Sequence, residues 1–173
     1  EINGEANNEI ALRASQECLV LLKNNGLLPL SATDLKKVAV VGPNADDDAY
    51  AHTHYGPVAT ESVTVYAGLK KALEGQAEVV YAKGCEVVDA KWPDSELFGY
   101  EPSQEELESI AKAVEVCKDA DVCVVVVGGK LRPCGETRSR TSLDLPGCQD
   151  LLLKEVKKTG KPVVMVMVNG QPL

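Results

Sequence analysis

The chain has 173 residues, 45% of them hydrophobic and 25% charged, with a formal net charge of -8. That apolar content suffices for one domain with its own core and implies no disorder. The acidic balance argues against a duplex nucleic-acid surface, which needs clustered Lys and Arg to displace counterions. The longest apolar runs are of strand length, so no membrane span is expected.

Ala6 to Asn25 carries Ile10, Leu12, Ala14, Cys18, Leu19, Leu21 and Leu22 near helical spacing, and Asn24-Asn25-Gly26 supplies residues that stop a helix in the left-handed conformation. The spacing predicts an amphipathic helix. Leu35 to Gly42 reads as a first buried strand, broken by Pro43-Asn44-Ala45. Residues 46 to 61 lack periodicity and are rich in Asp, His, Thr, Gly and Pro, which predicts a long surface loop of the kind that carries function. Val63 to Leu73 then reads as a helix and Ala77 to Ala82 as a second strand, completing a βαβ unit.

Cys85 to Pro102 is a second irregular stretch and holds much of the scarce aromatic content, Trp92, Phe98 and Tyr100. Ser103 and Glu106 have capping-box spacing and open a helix that runs to about Asp119. Val122 to Val127 is an unbroken apolar, mostly β-branched run, the pattern of a parallel strand covered on both faces. Gly128-Gly129 ends it, and a polar loop follows with Lys130, Arg132, Glu136, Arg138 and Arg140. Pro146 to Gln149 starts another helix that ends at Thr159-Gly160, and Pro162 to Val168 reads as a fourth strand.

Alternating helices and strands define the α/β class: a layered, flavodoxin-like sandwich on a mainly parallel sheet. Residues 1–173 are expected to form a single, partial α/β domain. It lacks an initiator Met and a signal sequence and stops right after a strand, so it is expected to be truncated at its C-terminus and excised from a longer multidomain chain.

In an open α/β sheet, ligand chemistry collects in loops beyond the carboxyl ends of the strands, so the loop after Val127 is where function is sought first. Nucleotide binding fares badly: Gly42-Pro43-Asn44-Ala45 lacks G-x-G-x-x-G spacing, Pro43 removes a donor, and no G-x-x-x-x-G-K-[ST] occurs. His52-Thr53-His54 beside Asp46, Asp47 and Asp48 is conceivable as a metal site, but a solvated acidic loop is the simpler reading, and no metal or cofactor is expected. Six cysteines show no C-x-x-C pair. Cys18, Cys117 and Cys123 fall in apolar contexts that predict core packing, while Cys134 and Cys148 bracket the polar loop and could approach each other. Serine hydrolysis finds no G-x-S-x-G elbow. Carboxylate chemistry remains. Glu136 is the only acid between Asp121 and Asp144. One carboxyl can donate or accept a proton, yet glycoside cleavage needs a second, about 5–5.5 Å away in retaining enzymes, and no partner is visible here. An exposed Glu paired with a neighbouring Arg is the competing reading.

Cys134-Gly-Glu-Thr-Arg-Ser-Arg-Thr-Ser-Leu-Asp-Leu-Pro-Gly-Cys-Gln149, followed by Thr159-Gly-Lys-Pro-Val-Val163 and Val168-Asn-Gly-Gln-Pro-Leu173, resembles the second domain of glycoside hydrolase family 3. Ala14 to Leu30, Lys37 to Ala45 and Val63 to Leu69 echo the same pattern, closest to the bacterial β-xylosidase and β-glucosidase branch. The resemblance implies an α/β sandwich that lends a loop with the acid/base Glu to a (β/α)8-type first domain, which carries the nucleophilic Asp. The family's E-x-x-[SD]-R element falls on Glu136, Ser139 and Arg140, which makes Glu136 the candidate general acid/base. Arg140 and Tyr55 are the candidate substrate-binding residues: Tyr55 as a sugar platform, with an ordinary surface tyrosine as the simpler reading, and Arg140 more as the residue that orders the loop or pairs with a carboxylate. The implied partners are a β-linked oligosaccharide or glycoside and the missing barrel of the same chain, without which the piece is expected to be hydrolytically silent. A periplasmic or secreted location is implied by resemblance only. The alternative from another class is a noncatalytic carbohydrate-binding or scaffolding module with a merely structural Glu136.

Overall fold

The structure, a computed structural model, describes residues 4–48, 62–129, 133, 135–136 and 139–173. Its strands are β1 (Lys37–Val41), β2 (Glu78–Ala82), β3 (Val122–Gly128) and β4 (Val163–Val168); its helices are α1 (Glu5–Glu17), α2 (Val65–Ala72), α3 (Ser95–Phe98), α4 (Gln104–Lys118) and α5 (Gln149–Lys157). The strands form one four-stranded sheet in the order β2-β1-β3-β4. Every pairing is parallel, with Val40 opposite Tyr81 and Val124, and Val125 opposite Met165. The α/β class and the parallel sheet expected from the sequence are therefore present.

The valine run of β3 is continuous because successive side chains point to opposite faces and both faces are covered. Ala39, Val41, Cys123, Val125 and Val127 pack on one face with Ile110, Ala113 and Cys117 of α4 and Leu152 and Val156 of α5. Val38, Val40, Val122, Val124 and Val126 face the other way, towards Val65, Tyr66 and Leu69 of α2. The edge strands β2 and β4 are only half-buried for most of their length. Local signals fix the ends: Ser103 Oγ accepts from Glu106 N at 3.2 Å while Ser103 N donates to Glu106 Oε2 at 2.8 Å, the expected capping box. Asp121 Oδ2 accepts from Lys36 N at 2.7 Å and Lys37 N at 2.8 Å, tying the start of β3 to that of β1.

Two glycines set the spacing at the carboxyl edge. A Cβ on Gly42 would lie 2.0 Å from Val126 O, and one on Gly128 would lie 2.0 Å from Val168 O. Neighbouring strands could not stay paired there around a side chain.

The first helix departs from expectation. It ends at Glu17, well short of Asn25, and contains no buried residue. Leu19, Val20, Leu21 and Leu22 are 65–82% exposed, and Cys18 is exposed where core packing was expected. Spacing makes such a segment amphipathic, but a helix is held mainly by what its apolar face packs against, and none of this helix's residues is buried. Asn24 still makes the turn, its Oδ1 accepting from Gly26 N and Leu28 N at 3.1 Å. Cys117 and Cys123 are buried as expected. The last helix begins at Gln149 rather than Pro146, and the irregular stretch before α4 contains the short α3.

Gly128→Ala is expected to destabilise the domain by about 3 kcal/mol or more, because a positive φ and a backbone overlap act together. Thermal unfolding should fall by about 6–12 °C. Gly75→Ala, at φ +73 with nothing within 4 Å of its Cβ, should cost only about 1 kcal/mol.

Candidate functional site

The polar loop leaves the carboxyl end of the central strand; two buried amide side chains and an ion pair hold it, and Pro133 of the loop itself is fully buried. At its start, Asn44, 6% exposed, donates from Nδ2 to Gly129 O at 2.9 Å. At its end, Gln149 is fully buried: its Oε1 accepts from Gly128 N at 2.7 Å, and its Nε2 lies 2.9 Å from Gly128 O, 2.9 Å from Val87 O and 3.2 Å from Pro146 O. One amide thus joins the strand end, the stretch after β2 and the entry to α5. Gly147 sits tightly there too, since a Cβ on it would lie 2.9 Å from Asp89 N.

The third hold is an ion pair. Arg140 Nε donates to Glu96 Oε1 at 2.5 Å, with the two side chains 9% and 10% exposed. Glu96 also accepts from Trp92 Nε1 at 2.9 Å, Thr141 N at 2.8 Å and Thr141 Oγ1 at 3.1 Å. Arg140 Nη2 donates to Asp144 O at 2.7 Å, and its Nη1 is buried without a partner among the described residues. Burial alone would raise the Glu96 pKa, but hydrogen bonds from Thr141 N, Trp92, Arg140 and Thr141 Oγ1 together hold its carboxyl below the usual range. Arg140, Thr141, Ser142 and Leu143 line a shallow depression of about 230 Å³ with Gln171 and Pro172.

Glu136 is exposed, in a turn after Gly135, which has φ 135°. It stands between the hold at Gly129 and the hold at Arg140. Tyr55 and the His52-Thr53-His54 segment lie outside the described residues, as does Cys134. Cys148 is a buried free thiol, pushed up to about 12 by burial and by the nearby Glu106 and Asp89 carboxylates. Among the described residues no group of three or more His, Cys, Asp or Glu could hold a metal ion, and no helix is long and apolar enough to cross a membrane.

Asn44, Glu96 and Gln149 escaped the reading of the sequence. The pairing of Glu96 with Arg140 spans a separation of 44 residues, which no local pattern encodes. The one available signal was an acid four residues after the lone Trp92, a spacing that on one helical turn brings indole and carboxylate together.

Fold and loop define a helix-covered parallel α/β domain that presents an acidic side chain beyond the carboxyl ends of its strands. Residues 19–173 match the family model described as the glycosyl hydrolase family 3 C-terminal domain, and the chain belongs to that family of glycoside hydrolases. It is 34% identical to a β-xylosidase of Formosa agariphila, covering 100% of this chain and 23% of that protein. It is 38% identical to a periplasmic β-glucosidase of Salmonella typhimurium, covering 94% of this chain and 22% of that protein. Among solved structures, a β-glucosidase from Erythrobacter marinus superposes with a TM-score of 0.81 at 29% identity, over 99% of this chain and 24% of that one. The chain therefore spans less than a quarter of the length of these relatives.

The lowered Glu96 pKa carries a sign. A folded-state value below the unfolded one stabilises the fold above the unfolded pKa, and that stabilisation is lost as pH falls through the folded value. Thermal stability is expected to decline as pH drops below the ordinary carboxyl value of 4.5, and Glu96→Gln should flatten this acid limb in melting curves taken across it.

Proposed function

We propose that the chain is the second domain of a retaining, exo-acting β-glycosidase of β-xylosidase or β-glucosidase type, and that Glu136 is its general acid/base. The observation that carries this reading is the placement of Glu136: an exposed carboxylate on a turn between two tethered points, beyond the end of a fully buried strand, in a family of glycoside hydrolases. A group that must reach a substrate held by another domain has to project from its own scaffold and still stay in place.

In the proposed mechanism a carboxylate of the (β/α)8 barrel bonds to the anomeric carbon as the glycosidic C–O bond breaks. Glu136 gives its proton to the departing oxygen. The resulting carboxylate then takes a proton from water as that water attacks the glycosyl-enzyme, restoring both groups. Glu136 supplies proton transfer alone, so the domain without the barrel forms no covalent intermediate and hydrolyses nothing. The substrate is a β-linked oligosaccharide or glycoside, with Tyr55 as a sugar platform beside the leaving group. A periplasmic or secreted home is supported by the Salmonella relative, which is described as periplasmic.

In the full-length parent, Glu136→Ala is expected to lower kcat/KM on unactivated glycosides by about 10²–10⁴-fold. Dinitrophenyl glycosides, whose leaving group needs no proton, should react with nearly unchanged kcat/KM, and azide should restore turnover by replacing water. Equal rates on both substrate types as in the wild type would sink the assignment.

A further inference from the structure

We infer that Glu96 is a positioning residue for Glu136, acting through Arg140 and Thr141; the inference rests on the acid/base reading above and adds a residue to it.

The donors around Glu96 explain why a carboxylate stands there. The indole N–H of Trp92, Arg140 Nε–H, Thr141 N–H and Thr141 Oγ–H all converge on its two oxygens. An ionised carboxylate accepts on both oxygens and donates nothing, so it satisfies all of them, whereas an amide would set its own NH₂ against an incoming donor. Charge-assisted bonds of this kind are the strong ones.

The two halves of the clamp differ in what holds them. Glu96 lies on α3, next to Trp92, which packs with Val87 and Val88. Asp89 ties that stretch together, its Oδ1 accepting from Lys91 N and its Oδ2 from Ser95 Oγ, both at 2.8 Å. Gln149 Nε2 holds it from below through Val87 O at 2.9 Å. This half is anchored to the core whether or not the clamp is closed. The other half, Arg140 and Thr141, belongs to the polar loop and meets the body of the domain at Glu96.

Three residues separate Glu136 from Arg140. With at most about 3.6 Å per residue, a closed clamp keeps the Glu136 backbone within about 14 Å of a fixed point. An open clamp removes the tether that follows Glu136 and leaves the loop fixed by the buried Pro133 before it and by Gln149 beyond it, so the carboxylate samples a larger volume. A reacting group displaced by about 1 Å can cost about 10²-fold in rate, so the clamp bears directly on proton transfer.

The test uses the full-length parent and kcat/KM, which reports the bond-breaking step. Glu96→Gln is expected to cut kcat/KM on an unactivated alkyl β-glycoside by about tenfold or more while changing it less than about threefold on a dinitrophenyl β-glycoside. Thr141→Val, which keeps the backbone donor and removes one hydroxyl, should show the same pattern more weakly. A purely structural role would lower both substrates together through loss of folded enzyme, and that result, or no change on either, overturns the inference. If Glu96→Gln does not fold, Arg140→Lys is read by the same criterion, since a lysine keeps the charge but cannot reach Glu96 and Asp144 O together. Glu136→Ala run in parallel separates the two claims. Leaving-group dependence in Glu136→Ala without it in Glu96→Gln removes the clamp and leaves the acid/base standing; its absence from both removes the acid/base reading and this inference with it.

Discussion

The constraint on which the domain depends is the complete burial of β3. All of Val122–Gly128 is buried, paired to β1 on one side and β4 on the other and covered by helices on both faces. A strand in that position has no freedom to shift, because its side chains interlock on two faces and its backbone is committed to two neighbours. The two glycines at the carboxyl edge are its consequence: strands this close leave no volume for a side chain at Gly42 or Gly128. The loop that departs from Gly128 therefore starts from the end of a strand paired on both sides, and Asn44 and Gln149 are bonded to that point or its immediate neighbour.

Most of this was legible in the sequence because the physics is local or repetitive. A valine run without alternation implies two covered faces, and Ser103 with Glu106 implies a cap; both are read from a few residues and both are present. The parallel order follows from alternating elements and crossover connections. What escaped has a different character. Helical spacing from Ile10 to Leu22 describes a face without saying whether anything lies against it, and the segment leaves its leucines in solvent. The position of Glu136 after a buried strand could be noticed by inspection, but Asn44 bonding to Gly129 spans 85 residues and Glu96 bonding to Arg140 spans 44. Such pairs exist only after the sheet has brought two loops to one edge.

The same contrast bears on the chemistry of the loop. Glu136, Arg132, Arg138 and Arg140 are crowded in sequence, which invites the reading of an acid paired with a neighbouring arginine. Arg140 pairs elsewhere, with a carboxylate from the preceding irregular stretch; its Nη2 donates to Asp144 O, and its Nη1 is buried without a partner among the described residues. Among the arginines near Glu136 in sequence, this one is spent on holding the loop.

A buried ion pair is a poor device for stability, because removing two charges from water offsets most of their attraction, and an apolar pair of similar volume often serves as well. Glu96 and Arg140 are about nine-tenths buried, so stability alone gives little reason for them. What a hydrogen-bonded carboxylate provides and a packed leucine does not is direction: each donor must arrive along a defined line, and the loop has few conformations in which Arg140 and Thr141 both do. An apolar contact would hold the loop down while letting it slide. A loop required only to cover the sheet could tolerate that, whereas the proposed acid/base role, which requires a proton to be delivered to a substrate held by another domain, could not, and the position of Arg140 four residues after Glu136 fits that requirement.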